Sequence, residues 1–378
     1  MDENIDLGRK LEDEYEKLRQ NINKPNILIA GGTGVGKSSI INYIFGDKIA
    51  RVGTGKPITS EIEMFKSDDV DVRIYDSKGY EIKHNGDEEF FKKVVDLPTV
   101  TQNPSDAVHL IWYCIATSSG RVTEYDINAI KKFSEAKLPI AVLLTKVDIS
   151  TREDVDEMTK IIHENFPNMN VFQTSVTNDN LNHMEELIEW STNNLEAPLR
   201  LAFIKSQKLD LKGKWKKAHI MIAEHAAAAF AVGFTPIPMS DAPVLVVNEL
   251  GLLARILYLY DLGSVSDTIK QAGLGATLTA LLTSGGKAAV GALLKLIPTV
   301  GTVVGGLISG GVGASITFAF GEATSAIGFE ISKAKLNGNQ EYAEEMIAKL
   351  GTIILEKAKQ FMEQGKKSSD DYDFDDLD

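Results

Sequence analysis

Short apolar runs, bounded by polar and glycine-rich stretches, mark the first half of the chain. Their length and their alternating or continuously apolar character are typical of β-strands. Five such runs occur, at residues 26–30, 70–75, 108–115, 140–144 and 170–173. A helix-like run from Ser39 to Phe45 follows the first of them and stops at Gly46. The pattern therefore predicts a strand-rich domain over residues 25–197.

The pattern becomes helical in the second half. Residues 199–224 carry apolar side chains among several lysines and predict a connecting helix. Residues 340–364 combine charged positions with apolar ones at helical spacing and predict an amphipathic helix. Together with a strongly apolar stretch between them, these segments predict an all-helical domain over residues 198–365.

Both ends of the chain have distinct patterns. Residues 1–24 predict an amphipathic helix that packs on one of the two domains, because apolar residues recur there at helical spacing. These residues are Leu7, Leu11, Tyr15, Leu18 and Ile22. Residues 366–378 are rich in aspartate with aromatic residues between, and they predict a disordered, solvating tail. A short acidic-aromatic peptide that docks on a partner is the alternative.

An uncharged, glycine-rich segment lies inside the helical domain. Residues 296–321 are 26 consecutive positions without a charged side chain and include seven glycines. Pro298 and the pairs Gly305–Gly306 and Gly310–Gly311 indicate breaks, which predicts a helical hairpin within residues 270–330. Two interpretations stay open. The segment forms either closely packed helices inside a helical domain or a hairpin that enters a membrane.

The first apolar run ends in a glycine-rich loop that leads directly into a helix. Residues 31–38 match the phosphate-binding pattern G-x-x-x-x-G-K-S/T without a mismatch, in the strand–loop–helix context that the motif needs. Backbone N–H groups and the helix N-terminus would meet phosphate oxygens. Lys37 would reach the β- and γ-phosphates, and the Ser38 hydroxyl would coordinate Mg²⁺. The nucleotide-binding candidates in this loop are Gly32, Thr33, Gly34, Val35, Gly36, Lys37, Ser38 and Ser39.

Two further motifs follow later strands. Asp76 and Gly79 form the D-x-x-G motif of GTP-binding proteins, in which the Asp holds Mg²⁺ through water and the Gly N–H meets the γ-phosphate. Thr145, Lys146 and Asp148 match the base-reading motif N/T-K-x-D. A carboxylate suits guanine, which presents two donors, N1–H and the 2-amino group, whereas adenine presents an acceptor at N1. The second motif therefore predicts GTP rather than ATP, with the Lys146 stem along the purine face.

A last short motif follows the strand at residues 170–173. Ser175 and Val176 resemble the loop that places a backbone N–H against guanine O6. Each of these short motifs is weak alone, but four of them occur in the expected order at strand ends.

Taken together, the motifs resemble those of the Ras-like GTPases in the translation-factor-related class, over about residues 25–195. The loop spelling G-x-T-G-x-G-K-S-S is most similar to the Era-like, septin-like and immunity-related GTPase branches. The resemblance implies an α/β fold with a mostly parallel, doubly wound sheet, helices on both faces, and the nucleotide at the carboxyl ends of the strands. It also implies a switch cycle between GTP and GDP, with Mg²⁺ as cofactor.

The resemblance assigns roles to single residues. By position, Thr59 matches the switch threonine that completes the Mg²⁺ site, with Thr54 as the alternative. The implied catalytic residues are Lys37, Thr59 and Gly79. The implied metal ligands are Ser38, Thr59 and Asp76.

Two departures from the family pattern bear on hydrolysis. Tyr80 stands where Ras-like proteins carry the glutamine that orients the attacking water, so slow intrinsic hydrolysis is expected. Gly34 stands where potassium-activated relatives carry an asparagine. A switch residue or a second molecule facing this one across the nucleotides would complete the site. Arg121 is a candidate charge for that contact, although pairing with Glu124 is the simpler interpretation.

The helical domain has a resemblance of its own. Ser240 or Asp241 can cap a helix that has Pro243 in its first turn, and the helix is apolar nearly all round up to about Asp261. Such a helix is expected to be buried or at a membrane. The spelling F-T-P-I-P-x-S-D-A-P before it is similar to a bacterial domain of unknown function that recurs behind Era-like GTPases, covering about residues 215–335. This resemblance implies no particular chemistry.

Charge and composition indicate which partners and which cellular compartment to expect. The formal net charge is −13, which disfavours a non-specific grip on nucleic acid and ranks a ribosome-assembly role last. The single cysteine, Cys114, falls in an apolar strand and predicts core packing in a reducing compartment. Residues 2–20 lack the apolar core of a signal peptide, so a cytoplasmic location, peripheral to a membrane if the hairpin inserts, is expected.

Two functions of different class follow from the sequence. One is a membrane-associated GTPase whose nucleotide state controls self-assembly, as a homodimer or larger oligomer, and the exposure of its helical domain. The other is a soluble regulatory GTPase whose helical domain binds a protein partner in defence or stress.

Overall fold

A computed structural model describes most of the chain in two compact units. The described residues are 7–46, 56–57, 62–67, 70–77, 103–178, 182–232, 241–262 and 305–364. One unit comprises Ile22–Asp210, and the other combines the N-terminal helix with the residues from Leu211 onwards. The helices are α1 Leu7–Asn21, α2 Lys37–Phe45, α3 Glu124–Glu135, α4 Arg152–Asn165, α5 Met184–Asn194, α6 Ala197–Ser206, α7 Leu211–Val232, α8 Asp241–Leu259, α9 Gly305–Leu336, α10 Gln340–Ala348 and α11 Leu350–Gln364.

The first unit is built on a seven-stranded sheet. Its strands are β1 Asn26–Gly31, β2 Lys56–Pro57, β3 Ile62–Ser67, β4 Val70–Ser77, β5 Leu110–Ala116, β6 Ile140–Thr145 and β7 Asn170–Thr174. Their order across the sheet is β2-β3-β4-β1-β5-β6-β7. From β4 to β7 all neighbours are parallel, whereas β2–β3 and β3–β4 are antiparallel. The predicted mostly parallel α/β fold is confirmed.

Two apolar cores cover the two faces of this sheet. Alternate residues of β1 contribute to opposite cores, because successive side chains of a strand point to opposite faces. Ile27 and Ile29 lie in the core that includes apolar residues of α2, α5 and α6. Leu28 and Ala30 lie in the core that includes apolar residues of α3 and α4. Burial on both faces explains why β1 has the continuously apolar pattern seen in the sequence.

The predicted helix over residues 199–224 is two helices. The chain turns between α6 and α7, where the buried amide of Gln207 donates to the carbonyl oxygens of Ile204 and Asp210, both at 3.1 Å. The Gln207 side-chain oxygen also accepts from the Asp210 N–H at 2.8 Å. One side chain therefore satisfies the backbone groups that the interrupted helix leaves open.

Helix α6 belongs to the sheet unit rather than to the helical domain. Its last residue, Ser206, accepts a hydrogen bond from the Asp71 N–H of β4 at 2.9 Å. The neighbouring Lys205 places its Nζ 3.3 Å from the Asp71 carboxylate, and Lys24 approaches the same carboxylate at 2.7 Å. These contacts join α6 to the unit that comprises Ile22–Asp210.

The second unit packs α7, α8 and α9 together, with α1 against α8. Leu11 of α1 is fully buried, and the Tyr15 ring meets the Tyr258 ring edge-on at 6.1 Å between centroids. The core also holds a carboxyl group: Glu249 is 5% exposed and accepts a hydrogen bond from the Thr317 hydroxyl. Burial raises the pKa of Glu249 to about 7, which the Thr317 hydrogen bond partly opposes.

The second glycine pair does not break the chain as expected. Helix α9 runs without interruption from Gly305 to Leu336, so the break expected at Gly310–Gly311 is wrong, while Gly305–Gly306 are the first described residues of the helix. The rest of the predicted hairpin, residues 270–304, lies outside the described residues. Later glycines of α9 mark close contacts. A β-carbon at Gly321 would lie 2.6 Å from Ile222 Cγ1, and one at Gly328 would lie 2.5 Å from Tyr260 Cδ2.

The predicted helix over residues 340–364 is also two helices. Lys349 separates α10 from α11 with φ −102° and ψ 8°. Met346 of α10 and Leu350 and Ile354 of α11 are all buried. Within the described part of the chain, no helix is long and apolar enough to cross a bilayer.

Candidate functional site

The predicted motifs meet at one edge of the sheet. Strands β1, β4, β5, β6 and β7 are parallel, so their carboxyl ends point the same way. In register, Ile29 pairs with Asp76, and Thr145 pairs with Thr174. The phosphate loop after β1, the base motif after β6 and the loop after β7 therefore share this edge, where α/β sheets place their ligands.

The phosphate loop needs glycine at two places for different reasons. Gly31 has a φ of 135°, and a β-carbon there would collide with the Cys114 carbonyl oxygen of the neighbouring strand. Gly36 caps α2 in the left-handed region with a φ of 103°, which L side chains rarely adopt. The turn at Gly36 leaves the N-terminus of α2, with its unpaired N–H groups, at the loop.

Lys37 is held inside the loop that precedes it. Its ammonium donates to the carbonyl oxygens of Gly31 and Gly32, each at 3.0 Å, and the side chain is 7% exposed. Its Nζ lies 4.0 Å from the Asp76 carboxylate at the end of β4. The loop therefore fixes a positive charge beside the helix N-terminus, and the combination suits phosphate oxygens.

Two of the predicted metal ligands, Ser38 and Asp76, lie among the described residues, and their chemistry suits Mg²⁺. Ser38 is exposed in the first turn of α2, and Asp76 lies beside Lys37. A hydroxyl and a carboxylate are hard oxygen donors, which Mg²⁺ prefers together with phosphate oxygens and water. Among the residues that the structure describes, no group of three or more His, Cys, Asp or Glu side chains is placed to hold a metal ion.

The base motif is tied to the phosphate loop by two side chains. The Thr145 hydroxyl donates to the Val35 carbonyl oxygen. Lys146 Nζ donates to the Gly34 carbonyl oxygen at 2.6 Å, and Lys146 itself has a φ of 60°. The lysine stem therefore spans from the base motif to the phosphate loop along the edge of the sheet.

A buried hydroxyl fixes the backbone of the base motif. Thr117, directly after β5, donates to the carbonyl oxygens of Thr145 at 2.9 Å and Lys146 at 3.0 Å. The Ser150 hydroxyl in turn donates to Thr117 Oγ1 at 2.7 Å. Thr117 and Ser150 were not predicted from the sequence. The available signal was the position of Thr117 at the end of a strand that points to the site.

Asp148 is held by the loop that follows β7. The Thr177 hydroxyl donates to Asp148 Oδ2 at 2.7 Å. Ser175 Oγ accepts the N–H groups of Thr177 at 3.1 Å and Asn178 at 3.0 Å. Hydrogen bonds from Thr177 and then Ser175 lower the pKa of Asp148, so the carboxylate is ionised at neutral pH. Thr177 was not predicted from the sequence, and the predicted residue Val176 lies exposed beside it.

Cys114 lies under the phosphate loop without taking part in chemistry. The side chain is fully buried in β5, and burial raises the pKa of its thiol to about 12. A protonated, inaccessible thiol is not a nucleophile. Its packing role agrees with the sequence-based prediction.

The described residues bring together most of the predicted site. The phosphate-loop residues, Asp76 and the base-reading residues share one edge of the sheet. Thr59, Gly79 and Tyr80 lie outside the described residues. Arg121 is exposed after the short 3-10 helix Thr117–Ser119.

Comparisons with known proteins match the same region. Residues 26–146 match the family model described as 50S ribosome-binding GTPase. The probable GTP-binding protein EngB of Aquifex aeolicus is 26% identical over 138 residues, which cover 36% of this chain and 73% of EngB. The GTPase Era of Caldicellulosiruptor saccharolyticus is 25% identical over 133 residues, which cover 34% of this chain and 42% of Era. A crystal structure of a probable GTP-binding protein engB aligns with a TM-score of 0.33 and 17% identity, covering 45% of this chain and 97% of that one.

Proposed function

Because residues 26–146 carry a P-loop GTPase domain, we propose that the chain is a switch in which bound GTP or GDP controls self-association and the helical unit. The family match supports binding of guanine nucleotide and hydrolysis of GTP by this domain. It also supports the Era-like character predicted from the motifs. The coupling to self-association and to the helical unit is the part that we propose.

One observation carries the proposal: the contact between Lys146 and Gly34. Lys146 Nζ donates to the Gly34 carbonyl at 2.6 Å, which joins the base-reading motif directly to the phosphate loop. A nucleotide bound along this edge would contact both halves at once. Both loops would therefore respond to whether a nucleotide is bound and to how many phosphates it carries.

Each placed residue has a defined task in this proposal. Lys37, already beside the loop carbonyls and Asp76, would exchange those contacts for phosphate oxygens. Asp148 would accept both guanine donors. Ser38 and Asp76 would hold Mg²⁺, which when bound neutralises phosphate charge during hydrolysis. Thr59 and the Gly79 N–H would complete the γ-phosphate contacts, as the family pattern implies.

We expect self-association because the motifs of one chain do not include a residue that orients the attacking water. Tyr80 replaces the water-orienting glutamine, so the attacking water needs a group from elsewhere. A second copy meeting the first across the nucleotides could supply that group or a positive charge such as Arg121, which is exposed. We therefore expect a homodimer or larger oligomer in the GTP state.

Light scattering of the full chain with GDP, with a non-hydrolysable GTP analogue and without nucleotide tests this proposal. We expect a monomer with GDP and a dimer or larger species with the analogue. Lys37→Ala is the control and should remain monomeric under all three conditions. Equal mass with GDP and with the analogue would refute nucleotide-controlled self-association, while GTP hydrolysis could persist.

Membrane attachment is a second candidate, favoured by apolar side chains on the helical unit. The large apolar residues that are exposed in the described part of this unit include Ile220, Phe230, Val247 and Phe318. Exposed apolar side chains mark protein or membrane contacts where they form a contiguous patch, and we propose that these residues do so. Flotation of the full chain with anionic liposomes, in each nucleotide state, distinguishes attachment to a membrane from binding to a protein partner. Flotation would support a peripheral membrane GTPase, and its absence in every state would favour a cytoplasmic regulatory GTPase with a protein partner in defence or stress.

A ribosomal role ranks behind both. The net charge of −13 opposes binding to polyanionic RNA, and we expect no nucleic-acid partner. Co-sedimentation of the chain with ribosomal subunits at physiological salt would contradict this expectation.

A further inference from the structure

The loop after β7 contributes a hydroxyl to the base-reading site. We propose that Thr177 is a positioning residue for guanine recognition, whose hydroxyl holds the Asp148 carboxylate in the orientation that reads the base. The inference rests on the proposed function, because it assumes that a guanine nucleotide occupies this edge of the sheet.

Asp148 needs an external restraint. It lies in the short 3-10 helix Val147–Ile149 and is only partly buried, while the next residue, Ile149, is 66% exposed. An aspartate without side-chain packing samples several rotamers, and ordering it on binding would reduce affinity. The hydrogen bond from Thr177 Oγ1 to Asp148 Oδ2 at 2.7 Å supplies this restraint before the nucleotide arrives.

The direction of this hydrogen bond is fixed by its neighbours. An ionised carboxylate only accepts, so Thr177 must donate its proton to Asp148. The oxygen of Thr177 is then free to accept, and Ser175 Oγ lies 3.2 Å from it. Ser175 is 2% exposed and accepts the backbone N–H groups of Thr177 and Asn178. Ser175 therefore fixes the position of Thr177, and Thr177 fixes that of Asp148.

The restraint leaves the base-reading capacity of Asp148 intact. Its two carboxylate oxygens offer about four lone-pair sites in total. Thr177 uses one of them, on Oδ2. Enough sites remain for guanine N1–H and the 2-amino group. A side chain that occupied both oxygens would compete with the base, whereas the Thr177 hydroxyl bonds one oxygen only and orients the group without blocking it.

Inosine triphosphate, which lacks the 2-amino group, gives a direct readout. With GTP the carboxylate must meet two donors at once, so its orientation matters most. With inosine triphosphate it meets N1–H alone, and a rotated carboxylate still reaches that donor. Loss of the Thr177 hydroxyl should therefore weaken GTP more than inosine triphosphate. A general disturbance of the loop would weaken both equally.

The experiment measures equilibrium affinities of the full chain for GTP, inosine triphosphate and ATP. Thr177→Val removes the hydroxyl at nearly constant shape and should weaken GTP roughly tenfold, as expected for a hydrogen bond to a charged group. The ratio of GTP to inosine triphosphate affinity should fall with it. Thr177→Ser keeps the hydroxyl and should restore the ratio. Thr159→Val is the matched control, because the Thr159 hydroxyl donates only to the Val155 carbonyl within α4.

Two outcomes contradict the proposal. An unchanged ratio of GTP to inosine triphosphate affinity in Thr177→Val overturns it, and an unchanged ratio with both affinities lowered equally indicates a structural role. A Thr177→Ser variant as impaired as Thr177→Val also overturns it. If the unmodified chain binds ATP as tightly as GTP, the base assignment itself fails, which is a separate result from failure of the Thr177 role.

Discussion

Lys146 Nζ donates a hydrogen bond to the Gly34 carbonyl oxygen at 2.6 Å, although the two residues are 112 positions apart in the chain. The lysine belongs to the base motif and the glycine to the phosphate loop. Thr145 makes a parallel contact to Val35. The two ends of the predicted nucleotide site therefore form one bonded unit, so damage at either end should be measurable at the other.

Replacing Lys37 by alanine should abolish hydrolysis. No other cation is placed by motif at the β- and γ-phosphates, and loss of one such charge typically reduces turnover by about 100-fold or more. Lys131→Ala, on the exposed face of α3, is the matched control and should be neutral. Phosphate release from GTP measures the effect. Wild-type turnover in the Lys37 variant would show that this loop is not the site.

Replacing Asp148 by asparagine should change the preferred base. Xanthine carries a 2-oxo group where guanine has the amino group, and an amide can donate to it. We expect GTP affinity to fall on the order of 100-fold while xanthosine triphosphate gains. Competition against a fluorescent guanine nucleotide measures both. Unchanged GTP affinity would contradict the assignment of Asp148 as the base reader.

Specific activity should rise with protein concentration. Tyr80 offers a single phenolic oxygen where the glutamine amide offers the attacking water a separate carbonyl acceptor and NH2 donor, so the isolated chain should turn over slowly. A group supplied by a second copy can contribute about 10³–10⁵ in rate. Turnover measured over a hundredfold range of protein concentration tests this. A flat profile with fast turnover at the lowest concentration would place the missing group within one chain.

Adding a methyl group at Gly328 should destabilise the helical unit. The new β-carbon would lie 2.5 Å from Tyr260 Cδ2, and the Tyr260 hydroxyl is already engaged with Ser325 at 3.0 Å. Overpacking costs about 1–3 kcal/mol, only partly offset by the roughly 1 kcal/mol helix preference of alanine. Gly328→Ala should therefore lower the melting temperature.

Gly251→Ala is the matched control for this prediction. A β-carbon there would lie 3.6 Å from His225 Cε1, an ordinary contact, so the better helix propensity should leave stability unchanged or raised. Melting curves of both variants with GDP bound decide the matter. Equal shifts in the two variants would contradict the close contact at Tyr260.

Glu249 should make the helical unit less stable as pH rises. Its pKa is about 7 in the folded chain against an ordinary value of 4.5, so between these values the folded state binds more protons than the unfolded state. The free energy of unfolding then falls as pH increases through this window, by about 3 kcal/mol for this group alone. Glu249→Gln should remove that dependence and raise stability at pH 8.

Melting temperatures from pH 5 to pH 8 measure the effect of Glu249. Glu341→Gln, at an exposed position of α10, serves as the control and should keep the wild-type profile. A Glu249→Gln profile parallel to that of the wild type would show that the carboxyl is ionised in the folded chain.

The sequence predicted the five parallel strands, most of which are buried on both faces, but it did not predict the antiparallel β2 and β3. Continuous apolar runs such as the one ending at Gly31 leave little ambiguity about strand position. The phosphate loop and base motif were equally visible, since each places several constrained residue types within a few positions. These features are local, and one sequence therefore suffices to find them.

Features that depend on distant partners were missed. Gly321 and Gly328 carry no packing signal in the sequence, and the nearness of Ile222 and Tyr260 explains why glycine lies inside the helix at these two positions. The same holds for Thr177, whose partner Asp148 comes from the preceding strand end. Isolated threonines in loops carry no signal until the topology brings the loops together.

The pairing of α1 with α8 has a consequence for how the chain acquires its structure during synthesis. Tyr15 leaves the ribosome first, yet its partner Tyr258 follows only after the entire sheet unit has been made. At about 5–20 residues per second, the delay is roughly 10–50 s. The sheet unit can mature within that interval, whereas α1 must keep its apolar face uncovered. Protection of this nascent helix, rather than the fold of the sheet, should therefore limit the yield of correctly formed protein.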